Sequence, residues 1–210
     1  MNTPALTPTL PAYSAAFLDY HRDWNVTDTD WWESVYEGFA EDMKANGIHV
    51  ERMYFSGFSS QGDGACFEGH IEDLPRFLSS HALGYPKLAM LLKHTTSELH
   101  LHWVQRGRYY HENSLSFDAD YHENYLFDQG RANELVTTVL ELQCEGVAEE
   151  ADEFIRDIPE LIRHHCTTLY ASLSVEYDYL TSDETLTESL RMNGIVEEIE
   201  EDIEINAITA

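Results

Sequence analysis

Ile48–Phe58 reads IHVERMYFSGF, Ser59–Gly64 reads SSQGDG, and Ala65–His70 reads ACFEGH. The first run is rich in β-branched and aromatic residues, the second is a turn cluster, and the third resumes extended. Together they predict a β-hairpin. The sequence before it is helical. Asp30-Trp31-Trp32-Glu33 has the capping-box arrangement of an N-cap with an acid three residues on, and Trp31, Val35, Phe39 and Met43 recur every four residues. This spacing predicts an amphipathic helix over Trp31–Asn46, stopped at Gly47, with Glu33, Glu37, Glu41 and Asp42 on its other face. After the hairpin come two short helices, near Leu74–His81 and Pro86–Lys93, the second opened by a proline at its first position. Leu99, Leu101 and Trp103 then alternate with His100, His102 and Val104. Beyond the Arg106-Gly107-Arg108 turn, Tyr109–Phe117 alternates again, which gives a second hairpin and a four-strand meander.

From Gln129 the period is helical. Leu135, Val139, Leu142, Phe154, Ile158, Leu161, Cys166, Leu169, Leu173 and Tyr177 keep helical spacing, and Pro159 predicts a kink or a break. Ser182 followed by Asp183 and Glu184 caps a last helix ending at Asn193-Gly194. The fold class expected is α+β: a small antiparallel sheet with helices, then a C-terminal helical region, the whole strongly acidic. The organisation expected is an extended arm over residues 1–12, an α+β domain over 13–128, a helical region packed on it over 129–194, and an acidic tail over 195–210.

The chain has 210 residues, with 12 Lys+Arg against 39 Asp+Glu and a formal net charge of −27. A hydrophobic fraction of 43% with 12% aromatics is too rich for a disordered acidic chain. Twelve cations give little from which to build a phosphate-binding face, so direct nucleic-acid binding and anionic membranes are disfavoured, and the expected partners are basic surfaces. Cys66, Cys144 and Cys166 are odd in number, widely spaced and without a CxxC, which reads as reduced, buried thiols. The N-terminus has no basic n-region or continuous apolar core, and no window approaches a membrane span. A cytoplasmic protein is expected.

The charge is unevenly placed. Residues 1–108 hold 14 acids and 8 bases, whereas residues 109–210 hold 25 acids and 4 bases. The stretch Val196–Ile205 alone has six acids and no base. Around Glu149–Glu160, the residues Glu149, Glu153, Asp157 and Glu160 fall at spacings of four, four and three, forming one stripe with Phe154, Ile158 and Leu161 facing away. Acids so spaced lie about 5–6 Å apart, close to the separation of successive phosphates on a DNA strand. At one charge per ~1.7 Å of duplex axis, the whole excess matches roughly 45 Å of DNA. The acidic surface expected to bind a partner comprises Glu141, Glu145, Glu149, Glu150, Asp152, Glu153, Asp157, Glu160, Glu176, Asp178, Asp183 and Glu184.

Other chemistry is weaker. The glycines of Phe55–Gly64 lack the lysine of a P-loop and the spacing of a dinucleotide fingerprint, so a hairpin turn with Asp63 bonding its own backbone is the preferred reading. His100 and His102 share a strand face, where His111 or Glu112 could complete a divalent metal site. Without a defined third ligand, a solvated or hydrogen-bonded face is preferred, and no metal or cofactor is expected. His94-Thr95-Thr96 and His165-Cys166-Thr167, 71 residues apart, have the tripeptide form used by two-histidine phosphodiesterases, in which one histidine acts as base and the other as acid. His165 sits inside the apolar helical run, and catalysis is not expected.

Three blocks, YFSGFSSQGDGACF (Tyr54–Phe67), GRYYHENS (Gly107–Ser114) and LYASLSVEYDYLTSDE (Leu169–Glu184), are similar to acidic proteins of phages and mobile elements, often labelled antitoxin-like. The resemblance implies a phage-type protein of host takeover, with a DNA-mimic branch directed at DNA gyrase. The expected function is therefore an inhibitor that occupies the DNA-binding surface of a host enzyme, gyrase first, acting as a homodimer. The alternatives are an antitoxin-like or immunity protein that neutralises a basic toxin or defence protein, and a two-histidine phosphodiesterase.

Overall fold

A computed structural model describes residues 13–81, 85–88, 102–117 and 147–197. The described elements are α1 (Ala15–Tyr20), α2 (Glu33–Ala45), β1 (Ile48–Phe55), β2 (Ala65–Ile71), α3 (Leu74–His81), β3 (His102–Gln105), a 3-10 turn (Glu112–Ser114), β4 (Leu115–Ser116), α4 (Val147–Leu180) and α5 (Asp183–Met192). The strands form one antiparallel sheet in the order β1-β2-β3-β4, so the fold is α+β with a small meander and a C-terminal helical region. The expected arm over 1–12, most of the helix over Pro86–Lys93, residues 118–146 and the tail beyond 197 lie outside the described residues.

Contacts divide the chain into two compact units, one of Met1–Trp31 with Tyr177–Ala210 and one of Trp32–Glu176. In the larger unit, β2 is the organising strand. Its Phe67 has no exposed surface and meets Phe39 of α2 and Trp103 of β3 edge-on, at ring-centroid distances of 5.2 and 5.4 Å. Such aromatic pairs contribute about 0.5–1.5 kcal/mol beyond the area they bury. Gly47, at φ 80°, ends α2 and turns the chain into β1; its carbonyl accepts from the Glu72 and Asp73 amides, which joins the start of β1 to the entry of α3. Gly69 of β2 is required for a different reason. A Cβ there would come within 2.3 Å of the His49 carbonyl oxygen and meet the Trp103 ring at 3.4 Å.

The register of β1 on β2 runs from Ile48 opposite Ile71 to Phe55 opposite Ala65, with a bulge between Val50 and Arg52. The extra residue is Glu51. A bulge adds one unpaired residue and turns the strand locally, and here two consecutive side chains, Glu51 and Arg52, are both exposed.

Three expectations need correction. Asp30 does not cap α2, which starts at Glu33 with Trp32 in the cap position and no side-chain cap. Trp32 instead packs on Phe55, ring centroids 5.7 Å apart. The second hairpin is shorter than the alternation of Tyr109–Phe117 predicts: His111 accepts from the Asn113 amide and Ser114 from that of His111, folding Glu112–Ser114 into a 3-10 turn before a two-residue β4. Of the kink or break expected at Pro159, the break does not occur, because the 34-residue α4 runs through it. An interior proline costs about 3 kcal/mol. Against this, Phe154, Ile158, Ile162, Cys166, Leu169 and Leu173 form a buried stripe on both sides of it, each large aliphatic or aromatic side chain contributing about 1.5–3 kcal/mol.

The smaller unit is built on Leu18 of α1 and Leu186 and Leu190 of α5, with Tyr13, Phe17 and Ile195 packed around them. Ser14 caps α1 by accepting from the Phe17 amide, and Ser182 caps α5 by accepting from Thr185, as its sequence predicts. The Tyr13 hydroxyl donates to the Ile195 carbonyl at 2.5 Å, and the Ser14 amide donates to Glu197 at 2.7 Å. The Arg22 guanidinium donates to Asp19, to Asp183 and to the Thr181 carbonyl.

The β1–β2 turn carries the chemistry its sequence announces. Asp63 Oδ2 accepts from the Ser59 and Ser60 amides at 2.9 and 2.6 Å. Tyr170 of α4 stacks on Phe58 at 5.5 Å and donates to the Gly57 carbonyl. Asp63→Ala removes an acceptor for two amides, a loss of about 1–2 kcal/mol by analogy with helix caps. Thermal melting should fall by roughly 2–8 °C while far-ultraviolet circular dichroism is unchanged; an unshifted melting temperature would show that the turn holds without this side chain.

Candidate functional site

The predicted acidic surface divides once its residues are placed. Glu141 and Glu145 lie outside the described residues, as does the side chain of Asp152. Glu150 is occupied structurally: its Oε2 accepts from the Lys87 and Leu88 amides at 2.9 and 3.0 Å, capping the helical residues 86–88. Asp157 accepts from the hydroxyl of buried Tyr85. Burial raises the Tyr85 phenol above its ordinary value, and the Asp157 bond and charge push it further. Asp183 is held by Arg22. Glu149, Glu153 and Glu160 of α4 are exposed, as are Asp178 and Glu184, while Glu176 is half-buried. Glu160 stands 3.7 Å from Arg163 with 83% of its side chain exposed, a surface pair of little energetic consequence.

Along α4 the acids do not run continuously. Leu161–Val175 contains no carboxylate, and that span carries Arg163, His164 and His165 instead. The row over Glu149–Glu160 is therefore a patch of about 16 Å at 1.5 Å per residue, and the acids from Glu176 on form a separate group. The buried side of the patch agrees with the sequence spacing at Phe154 and Ile158, with Ile162 fully buried where Leu161 is half-buried.

Two histidine clusters emerge. Of the metal set suggested by sequence, His100 lies outside the described residues, and His111 Nδ1 is used to cap the 3-10 turn. His102 is joined instead by Glu51 and His70, whose ligand atoms all lie within 4.8 Å of one another. These two residues were missed because the bulge and register that gather them have no local signature; a histidine at matching positions on both arms of the first hairpin, His49 and His70, was the available signal.

The second cluster involves His165. Its supposed counterpart His94 lies outside the described residues, and Thr167 is exposed and bonds the Arg163 carbonyl. His165 Nε2 lies 2.8 Å from His81 Nε2. His81 Nδ1 faces the Phe77 carbonyl at 2.8 Å, and a carbonyl only accepts, so Nδ1 carries the proton. Neutral His81 then accepts at Nε2 from the Nε2–H of His165. Burial lowers His165 to about 4, with His81 and His164 adding to the shift, and burial lowers His81 as well. The buried thiols of Cys66 and Cys166 are free. Burial pushes Cys66 up to about 12 and raises Cys166 likewise, so neither thiol is an activated nucleophile.

The sequence model of a family described as Domain of unknown function (DUF8835) matches residues 31–183, more than half of the chain. No curated protein and no solved structure matches. Among the described residues no helix is long and apolar enough to cross a membrane.

The histidine pair sets a pH dependence whose sign is fixed. Both folded-state values are lowered, so the unfolded chain takes up protons that the folded chain refuses. The stabilisation is complete above about 6.5, and for His165 it is lost as pH falls from there to about 4. The slope is at most about 1.4 kcal/mol per pH unit for each histidine. Urea melts between pH 7.5 and 4.5 should show the wild type losing stability relative to a His81→Leu/His165→Leu variant; parallel profiles would rule the pair out as the source.

Proposed function

The chain belongs to the DUF8835 family, and from its own residues we propose that it is a DNA mimic, a protein that binds a basic DNA-binding enzyme in place of DNA, with bacterial DNA gyrase as the first candidate. The observation that carries this reading is the exposed row Glu149, Glu153 and Glu160 on one face of α4, in a chain of net charge −27. Glu149 and Glu153, four residues apart, lie about 5–6 Å from each other, near the separation of successive phosphates, and Glu160 follows about 10 Å further along the helix. They are held there because the opposite side of α4 is buried through Phe154, Ile158 and Ile162. An excess of this size opposes compaction by self-repulsion, which gives a charged surface used for binding more weight than one serving solubility alone. Attraction summed over many charges also speeds association.

The patch that would make contact is narrower than the sequence suggests. Glu150, Asp157 and Asp183 serve the fold, so among the described residues the mimicry rests on Glu149, Glu153 and Glu160, with exposed Asp178 and Glu184 as a second group. The resemblance to acidic phage proteins supports the same class of activity and supplies gyrase as the target to try first.

The test is plasmid supercoiling by purified gyrase and direct binding to it, across a salt series, with duplex DNA as competitor. Wild-type protein should inhibit, should be displaced by DNA, and should bind far more weakly as salt shortens the Debye length to about 8 Å at physiological ionic strength. The triple variant Glu149→Gln/Glu153→Gln/Glu160→Gln should lose more affinity than any single change and keep or gain thermal stability. Asp157 is left intact because its bond to Tyr85 supports the fold. Binding indifferent to salt, to the triple variant and to DNA would overturn mimicry, and tight pairing with one small basic protein would favour the antitoxin-like alternative.

A further inference from the structure

The outer face of the sheet carries a second, independent feature. His49 of β1, His70 of β2 and His102 of β3 are successive cross-strand partners: His49 pairs with His70, and His70 with His102. Their rings stand side by side, with centroids 4.9 and 4.8 Å apart. Glu51, the extra residue of the bulge, reaches this row. Its Oε1 lies 3.1 Å from His70 Nδ1 and 3.9 Å from His102 Nδ1, so two imidazole nitrogens and one carboxylate oxygen converge.

We propose that Glu51, His70 and His102 form a binding site for one divalent transition-metal ion of the zinc class. Two imidazoles and a carboxylate are a donor set suited to zinc and its first-row neighbours, whereas magnesium and calcium prefer all-oxygen sites. Three protein ligands leave at least one coordination position for water or another small ligand. The ligand atoms already lie within 4.8 Å of one another, and a common ion at about 2.0–2.2 Å from each would draw them closer. Binding replaces the Glu51–His70 contact: neutral His70 takes the metal on Nδ1 and carries its proton on Nε2, and because a protonated imidazole cannot ligate, affinity weakens in acid.

The backbone makes the site specific. Gly69 and Trp103, which fill the inner face, fix the register that aligns His70 with His102. The bulge lets Glu51 sit beside the histidine row with no partner across the ladder. The neighbouring cation, Arg52, interacts first with Tyr54 and then with Glu68, and with Glu51 only weakly. Nothing in this arrangement depends on the acids of α4, so the site and the proposed mimicry stand or fall separately.

The test is calorimetric titration of the full chain with Zn2+ alone, in moderate salt and a large excess of Mg2+ to occupy the acidic surface. One Zn2+ per chain should bind in a manner Mg2+ does not displace, and it should raise the melting temperature. Glu51→Gln and His102→Ala, both at exposed or half-exposed positions, should each weaken Zn2+ binding at least about tenfold and abolish the thermal shift, while melting without metal stays as in wild type. His164→Ala, which removes an exposed histidine on α4, should leave binding unchanged. Zn2+ binding that survives both ligand changes, or that Mg2+ competes away, would overturn the site and identify the uptake as general attraction to an acidic surface.

Discussion

Strand β2 can occupy only one register. Phe67 lies between Phe39 and Trp103 with none of its surface exposed, and Ile71 is equally buried. A slip of one residue would move both to solvent and carry Glu68 and His70 inward, burying ionisable groups without partners at a cost of several kcal/mol. Gly69 makes the constraint stricter, because a side chain at that position would run into the His49 carbonyl and the Trp103 ring. The placement of every outward side chain on the sheet follows from this packing. The histidine row is thus set by the core behind it and owes nothing to attraction among the histidines themselves.

The sequence made the main elements legible where periodicity and turn chemistry agree. The first hairpin, the Asp63 turn, α3 and the Ser182 cap of α5 all appear at or near the expected residues. The failures share a cause, which is that tertiary contacts outweighed local signals. Trp32 packs on Phe55 and the Asp30 capping box does not form. Burial of Ile158 and Ile162 carries the helix across Pro159. Less was legible of the candidate sites. Spacing identified the exposed acids of α4, but it could not show that Glu150 and Asp157 are taken up by residues more than sixty positions away. Nor could it pair His81 with His165, or bring Glu51 to His70, since both depend on how distant segments are superposed.

Charge plays two roles in this protein, and the structure separates them. Glu150 neutralises the start of a helical turn, Asp157 orders a buried phenol, and Asp183 with Asp19 holds Arg22. Each of these carboxylates is satisfied by a donor within the fold. Glu149, Glu153 and Glu160 are exposed, and Glu160 approaches Arg163 at a distance that makes a weak pair. A net charge alone overstates the surface available to a partner, because it counts both kinds equally.

The smaller unit is discontinuous in sequence, its core built from Leu18, which precedes the larger unit in the chain, and from Leu186 and Leu190, which follow it. During vectorial synthesis this imposes an order. The segment bearing Tyr13, Phe17 and Leu18 leaves the ribosome well before its partners, which follow only some 170 residues later. At roughly 5–20 residues per second that interval is on the order of ten to thirty seconds. The inserted unit, whose residues are contiguous, has its full set of contacts available before the flanking segments can meet. The nascent chain therefore leaves the apolar side chains of Tyr13, Phe17 and Leu18 without their native partners for that interval, until Leu186 and Leu190 have been made.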